Sequence, residues 1–524
     1  MILGEISGGG ADARTTLDDI LRLNAARRPD AIALIDPPNR AAFTDGEPRC
    51  LTYAQADRMV SAIAERLRGI GLPADSVVAT HFANTSESIL ALLGIMRAGM
   101  IAAPMPMLWR RADCVAALSR IGTKALMTCA RVGGADHASL AMQVAAEIFP
   151  IRHVCGFGAS LPEGLVSFDD LFDQVASGAG APFAPNLRGN PALHVAAITF
   201  DMTPDGIVPV ARSHAELLAG GLSALAESRL ASDSTVLSSL PAASFAGIAL
   251  TLLPWLLSGG TLRLHQPFDA AAFVAQLREQ PCDLAILPGS LVARLADAEL
   301  FRPHGPKSIL AFWRAPERLA LSAPIRMPDV DQIDVAVFGE IGLCAMRRAD
   351  GQPAPIPSGK IRVPGAAIVA DIARTSAGTI GFGGPMAPHH PFPPHAVKST
   401  DSYFKASDDG VVDTGYPCRP EPETGGLVVT GPPAGLVSVG GYRFSMRDVQ
   451  DVVAQADKDA SVAALPDIFA GHRLAGDSKD RAAIRHTLAA IGLNPLIMRA
   501  FRERNAPSSA TSPTGWHEGF RSSR

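Results

Sequence analysis

The sequence predicts an α/β protein with a large N-terminal layered α/β domain and a small α+β C-terminal domain. Apolar, strand-like runs alternate with helix-length segments over most of the 524 residues, which is typical of a mainly parallel sheet covered by helices. The length fits one large domain and one small one. After the turn-rich segment 431–435 the pattern changes, so we predict domains at 1–430 and 431–524.

The first long helix has clear start and stop signals. Thr52 and Gln55 have the spacing of a capping box. Apolar residues then recur at helical spacing as far as Leu67, and Gly71 supplies a stop. We expect an amphipathic helix of about five turns. The next predicted elements are a strand, a helix and a strand, at 76–82, 86–97 and 100–103.

Further apolar runs continue the alternation. They lie at 195–200, 236–240, 261–264, 283–287, 308–313 and 333–338, with a helix at 269–278. Segment 378–394 is so rich in Gly and Pro that we expect a covering loop there. In the C-terminal domain we expect a strand at 436–439, a Gly-Gly turn and a helix at 445–455.

The amino-acid composition indicates which classes of binding partner and which cellular location to expect. The 47 Lys and Arg against 51 Asp and Glu give a net charge of −4, so nucleic acid is not expected and small molecules are favoured. Seven scattered cysteines never form a C-x-x-C pair, which argues against disulfides and structural zinc. The longest strongly apolar stretch, 248–257, is interrupted by Pro254 and is too short for a membrane span. With no signal-like N-terminus, we expect a cytoplasmic protein.

Three early motifs carry a family resemblance. Residues 51–57 (LTYAQAD), residues 90–99 (LALLGIMRAG) and Ala103-Pro104 resemble the opening of the large domain in the adenylate-forming superfamily. That superfamily contains acyl-CoA synthetases, aryl-acid ligases, luciferases and peptide-synthetase adenylation domains. The resemblance implies ATP and Mg²⁺ as cofactors and a small carboxylic acid as substrate. It also implies that the acyl-adenylate is transferred to CoA or a phosphopantetheine carrier, with the C-terminal domain acting as a lid.

The family's phosphate loop reads approximately T-S-G-T-T-G-x-P-K-G. At this place the chain has DMTPDGIVPV, residues 201–210. The resemblance makes Thr203 and Gly206 phosphate neighbours, and Arg212 a substitute for the lysine. Asp201 and Asp205 add negative charge, and a carboxylate about 5 Å from a phosphate costs roughly 3 kcal/mol at an effective dielectric of ~20. We therefore predict weak ATP binding. The alternative is that residues 205–206 form a simple tight turn.

The family's Y-G-x-T-E motif resembles the segment from Phe338 to Gly342. Phe338 and Gly339 would lie against adenine. If two residues are deleted relative to the family, Glu340 is the catalytic carboxylate that binds Mg²⁺. The alternative is a solvated or helix-capping Glu340.

The ribose-binding T-G-D motif has Tyr416 in place of its aspartate. Asp413 could bind the ribose only if the backbone were re-registered. The family's flexible Gly-Arg hinge is replaced by Gly431-Pro432, followed by Pro433. Because proline fixes φ, we expect a stiffened hinge.

Two C-terminal motifs complete the comparison. Gly440 and Gly441 resemble the turn that meets the phosphopantetheine arm in the family, and a simple hairpin is the alternative. Trp516 stands where the family has its catalytic lysine, with Arg521 nearby. The histidines of segment 388–396, which are His389, His390 and His395, share no carboxylate or cysteine spacing, so we expect a solvated loop there.

Two hypotheses about function remain. In the first, the chain is an enzyme that activates a carboxylic acid with ATP, using Glu340, Thr203, Arg212 and the glycine turn. In the second, it is a non-catalytic relative that retains an acyl or pantetheine binding site.

Overall fold

The computed structural model describes residues 14–502 except 179–182, 184–188, 328, 364–366, 390–391, 393–406 and 408. His390, His395, Trp516 and Arg521 lie outside the described residues. The fold is α/β as the sequence predicts, with several sheets that contain parallel strands.

Two large sheets form the body within the described residues. The eight-stranded sheet has the spatial order Gly342–Arg347, Asp331–Phe338, Ser308–Trp313, Leu284–Pro288, Val236–Ser238, Leu262–Leu264, Ile32–Ile35 and Cys50–Thr52. The seven-stranded sheet has the order Gly206–Ser213, Val195–Thr203, Ile101–Pro104, Val77–His81, Ala125–Cys129, His153–Phe157 and Val166–Ser167. Both sheets have parallel centres. The eight-stranded sheet has an antiparallel pair at each edge, and the seven-stranded sheet has one at a single edge.

Smaller sheets follow in the same described part of the chain. The five-stranded sheet is ordered Gly359–Arg362, Ile368–Arg374, Thr379–Gly383, Val412–Pro420 and Leu427–Val429. The four-stranded sheet is ordered Tyr442–Ser445, Leu436–Val439, Gly471–Asp477 and Ser461–Asp467. Arg131–Val132 and Ala135–Asp136 form a two-stranded ribbon.

Helices connect and cover these sheets. The α-helices are Leu17–Arg27, Arg40–Phe43, Tyr53–Gly69, Ser86–Arg97, Arg111–Leu118, His137–Glu147, Asp170–Ala176, His214–Ser228, Phe245–Gly247, Leu253–Ser258, Ala270–Glu279, Gly289–Asp297, Met446–Ala456, Arg481–Ile491 and Pro495–Met498. Ile248–Leu252 is a π-helix, and the 3₁₀ turns are Pro191–Leu193, Pro316–Arg318 and Arg499–Phe501. No helix in the described ranges combines the length and apolar character that crossing a membrane requires.

The motifs at residues 51–57 and 90–99 correspond to a helix cap and to a buried helix. Thr52 accepts a hydrogen bond from the Gln55 amide at 3.2 Å, and Gln55 accepts one from the Thr52 amide at 2.9 Å, so the predicted capping box is confirmed. Residues 90–97 of the LALLGIMRAG motif lie in helix Ser86–Arg97, which is buried along nearly its whole length. A helix that is apolar all round belongs in a core. Gly94 permits contact with the preceding long helix, since a Cβ there would lie 2.5 Å from Ile63 Cγ2.

The expected covering loop at 378–394 is wrong for its first part. Thr379–Gly383 is a strand of the five-stranded sheet. Gly381 serves close packing here, because an added Cβ would lie 2.4 Å from Val411 Cγ1. Phe382 is fully buried on this strand, which compensates for the poor strand propensity of its glycine neighbours.

The C-terminal segment 436–502 has its own sheet and a separate apolar cluster. It also contacts the body. Tyr442 Oη accepts a hydrogen bond from the Leu108 amide at 3.1 Å, and the Gly492 carbonyl accepts one from Ala112 at 2.9 Å. The domain boundary at 430/431 stays a prediction.

Candidate functional site

The segment expected to cradle phosphate is a closed β-hairpin. Strands Val195–Thr203 and Gly206–Ser213 pair as far as Thr203 and Gly206, so only Pro204 and Asp205 remain as the turn. Thr203 Oγ1 donates to the Gly206 carbonyl at 3.1 Å and accepts from the Asp205 amide at 3.2 Å. The hydroxyl of Thr203 is therefore used to close the turn. The roles of Thr203 and Gly206 toward phosphate stay predictions.

A buried ion pair joins this hairpin to the C-terminal segment. Asp201 Oδ1 lies 2.7 Å from Arg443 Nη1, and the two side chains are only 6% and 12% exposed. Arg443 also donates to Tyr416 Oη at 2.6 Å. Burial opposes the charge of Arg443, but the carboxylate of Asp201 outweighs it and raises the pKa of the guanidinium. Burial raises the pKa of Tyr416 to about 12. We call Asp201, Arg443 and Tyr416 the latch.

Glu340 lies next to the latch. Its amide donates to Asp201 Oδ2 at 2.9 Å, and its Oε2 accepts from the Phe245 amide at 2.6 Å. The residue is 7% exposed. Burial, together with the negative charge of Asp201, raises the pKa of the Glu340 carboxyl to about 7. This carboxyl is therefore about half protonated near pH 7. It is not solvated, and it accepts from the first amide of helix Phe245–Gly247, so the helix-capping alternative describes its contact.

Arg212 lies beneath this cluster. Its Nη2 donates to the carbonyls of Glu340 at 2.6 Å and Ile341 at 2.7 Å, and its Nη1 donates to the Met386 carbonyl. The guanidinium lies 3.7 Å from the centre of the Phe245 ring. Burial lowers the pKa of Arg212 to about 10. These contacts hold strand ends together, and a phosphate role for Arg212 stays a prediction.

The residues expected around adenine and ribose are packed against one another. Phe338 has no solvent exposure, and its ring centre lies 5.3 Å from those of Phe382 and Tyr416. Gly339 has φ +60°, and a Cβ there would lie 2.2 Å from Asp201 Oδ2. Only glycine fits beside the latch in this backbone conformation.

Asp413 points away from Tyr416. Successive side chains of a strand alternate between faces, and in Val412–Pro420 Tyr416 is buried whereas Asp413 is exposed. Asp413 Oδ1 accepts from Thr379 Oγ1 at 2.6 Å and from the Gly415 amide at 2.8 Å. Its suggested contact with ribose stays a prediction.

The two glycines of the C-terminal motif form a hairpin turn between Leu436–Val439 and Tyr442–Ser445. Gly440 is exposed with φ +58°, and a Cβ there would meet no atom within 4 Å. Gly441 lies over Arg314, whose Nη1 donates to its carbonyl at 3.1 Å and whose Nη2 donates to Ser244 Oγ at 2.8 Å. The turn thus combines an open face with a cation beneath it.

The sequence did not single out Arg443 or Arg314. An isolated arginine carries no signal by itself. The signal in the sequence is Asp201, an acidic residue in the segment that is expected to bind the phosphates of ATP. A buried acid requires a partner, and the partner lies 242 residues along the chain.

Both carboxylates near the expected magnesium position already have protein partners, and the magnesium role of Glu340 stays a prediction. One Glu340 oxygen accepts the Phe245 amide, and Asp201 is paired with Arg443. Within the described ranges, no three His, Cys, Asp or Glu side chains are grouped as metal ligands. His389, from the histidine-rich segment, lies 3.0 Å from the Gly384 carbonyl through its Nε2.

The chain is similar in sequence to several known enzymes. The family model for AMP-binding enzymes matches residues 21–169. A 2-hydroxy-7-methoxy-5-methyl-1-naphthoate–CoA ligase of Streptomyces carzinostaticus is 26% identical, covering 86% of this chain and 81% of its own length. A sulfoacetate–CoA ligase of Cupriavidus necator is 24% identical, covering 91% and 90%.

Solved structures give the same fold. The amide bond synthetase McbA from Marinactinospora thermotolerans has a TM-score of 0.69 at 16% identity, covering 92% of this chain and 94% of its own. MbtA of Mycobacterium smegmatis has a TM-score of 0.63 at 23% identity, covering 92% and 90%. The fold is that of adenylate-forming enzymes. In sequence the chain is similar to AMP-binding enzymes over residues 21–169 and to CoA ligases over most of its length.

The first prediction concerns the pH dependence of stability. Because the folded pKa of Glu340 is about 7 against an ordinary 4.5, the folded state holds this proton where the unfolded state has lost it. The free energy of unfolding should therefore fall as pH rises from 4.5 to 7, by up to about 3 kcal/mol. Glu340→Gln cannot ionise and keeps an acceptor for Phe245. Urea unfolding across pH 4.5–8 should show wild type losing stability relative to this variant. Parallel curves would contradict the assignment.

Proposed function

We propose that this protein is a non-adenylating member of the superfamily, which does not activate acids with ATP and instead binds a phosphopantetheine thiol compound. The observation that carries the proposal is the latch. In a ligase of this class, bound ATP and Mg²⁺ would supply the leaving group and charge neutralisation for adenylate formation. The residues at the corresponding place here are engaged with one another.

The latch opposes ATP on energetic grounds. For phosphates to contact the hairpin, Arg443 must leave Asp201 or share it with the nucleotide. Breaking a buried ion pair leaves an uncompensated charge and typically costs 3–5 kcal/mol, which corresponds to a loss of about two to four powers of ten in affinity. Asp205 adds a second negative charge at the exposed tip. Arg212 offers no compensation, since its Nη atoms already donate to three carbonyls.

The adenosine part meets a second obstacle. By resemblance, adenine should lie against Phe338 and the ribose near residue 416. Phe338 is fully buried and packs against Phe382 and Tyr416. Tyr416 is itself held in the latch, because its Oη accepts a hydrogen bond from Arg443. A nucleotide would therefore have to displace an aromatic cluster as well as an ion pair.

The glycine turn supports binding of a pantetheine-type thiol. Gly440 presents open space where a side chain would stand. Glycines of this kind allow a ligand to approach the backbone closely. Arg314 lies directly below the turn and is held by Gly441 and Ser244. CoA and acyl carrier proteins both present this arm, and either is a candidate partner.

Activation of a small carboxylic acid with ATP is the second candidate function. It is favoured by relatives named as CoA ligases that match most of this chain, and by the retention of a buried carboxyl at Glu340.

The second prediction tests adenylation directly. Wild type should show no acid-dependent exchange of pyrophosphate into ATP with a panel of aryl, short-chain and long-chain acids. Titration calorimetry at physiological salt should give an ATP dissociation constant weaker than about 10 μM, or −6.8 kcal/mol. A competent CoA ligase measured alongside provides the positive control. Acid-dependent exchange above background would refute the proposal in favour of the second candidate.

The third prediction concerns the thiol partner. Gly440→Asn should weaken CoA binding at least tenfold, because asparagine tolerates positive φ while its side chain covers the open face of the turn. Gly435→Asn is the matched control, since Gly435 is also exposed, has φ +76° and has no atom within 4 Å of an added Cβ. Calorimetric titration with CoA measures both variants. Equal affinities for the two variants would exclude the turn as the binding point.

A further inference from the structure

A basic cleft lies in the C-terminal segment. It has a volume of about 530 Å³ and lies between helix Arg481–Ile491 and the turn that follows Pro495. Arg485, His486, Arg499 and Arg502 line it together with the apolar side chains of Pro495 and Met498. A cleft of this size matches the clefts that hold small organic ligands.

The described residues that line the cleft include three arginines and a histidine and no Asp or Glu. Residues 481–502 contain four arginines and a histidine but no acid, in a chain whose net charge is −4. Two neighbouring acids have partners: Asp480 caps the helix by accepting from the amides of Ala482 and Ala483, and Asp477 Oδ1 lies 3.4 Å from Arg481 Nη2. The pKa of Arg499 is lowered by partial burial and by the positive charge of Arg502. Like charges held close together favour an anion between them.

The cleft is held by a rigid scaffold. Ile484, Leu488, Ile497 and Phe501 are at most 5% exposed and fix the helix against the following turn. Arg481 Nη1 donates to the Arg502 carbonyl at 3.0 Å, which ties the end of the turn to the start of the helix. Because the backbone that carries the cationic side chains is already fixed, ligand binding does not have to order it, and the entropy lost on binding is smaller.

We propose that this cleft binds a small organic phosphate. Guanidinium groups recognise phosphate oxygens with two parallel hydrogen bonds, and the apolar wall formed by Pro495 and Met498 would contact the organic part. The cleft suits a single phosphorylated molecule rather than a nucleic acid strand, which would need a longer basic track. This site does not depend on the latch or on the proposed thiol partner.

Phenyl phosphate is the probe, titrated into the full 524-residue chain by calorimetry. We expect it to bind at least fivefold more tightly than inorganic phosphate, because only the ester reaches the apolar wall. Benzoate should bind more weakly than phenyl phosphate, since it lacks the second charge. No measurable binding of phenyl phosphate, or equal binding of the three probes, would overturn the proposal.

Two variants locate the site. Arg485→Gln, at an exposed position, should weaken phenyl phosphate binding at least fivefold, and the double variant Arg485→Gln/Arg499→Gln at least tenfold. Arg447→Gln is the matched control, because Arg447 is also exposed in the C-terminal segment and does not line the cleft. Unchanged binding in Arg485→Gln, or an equal loss in Arg447→Gln, would refute the site. Tighter binding of a single-stranded RNA oligonucleotide than of phenyl phosphate would show that the ligand class is wrong.

Discussion

The ion pair between Asp201 and Arg443 is the interaction on which the arrangement of the site depends. It joins the hairpin of the seven-stranded sheet to the four-stranded sheet of the C-terminal segment. The position of Asp201 explains why residue 339 is glycine. Burial of Glu340, together with the negative charge of Asp201, raises the pKa of the Glu340 carboxyl to about 7. Tyr416 is drawn into the same cluster through Arg443. Asp201, Glu340 and Tyr416 are far apart in the sequence, and in the structure they form one packed cluster with Arg443.

The fold could be predicted because its signals are local. Alternating apolar segments and the capping box at Thr52 depend on neighbours within a few residues. The strand Thr379–Gly383 was missed because glycine propensity argues against it, whereas Phe382 and the approach of Val411 to Gly381 decide the outcome through tertiary packing. Propensity is a weak guide wherever contacts distant in sequence compete with it.

The site could be predicted only as a set of positions. The family resemblance implies that Asp201, Glu340 and Tyr416 all lie near one nucleotide position, but it does not supply the partner of Asp201, which lies in the C-terminal segment. The sequence predicts that the aspartates of the hairpin repel phosphate, and the structure pairs the charge of Asp201 with Arg443. The basic cleft gave no motif at all, because its cations come from both ends of segment 481–502 and converge only after folding.

The central claim is that the Asp201–Arg443 pair holds the C-terminal segment against the hairpin. A double-mutant cycle with Asp201→Asn and Arg443→Gln tests it, using hydrogen exchange of strand Tyr442–Ser445 to measure the free energy of local opening. We predict that each single variant lowers the opening free energy and that the coupling energy is about 2 kcal/mol or more. Opening free energies that remain unchanged, or a coupling energy below about 0.5 kcal/mol, would contradict the claim.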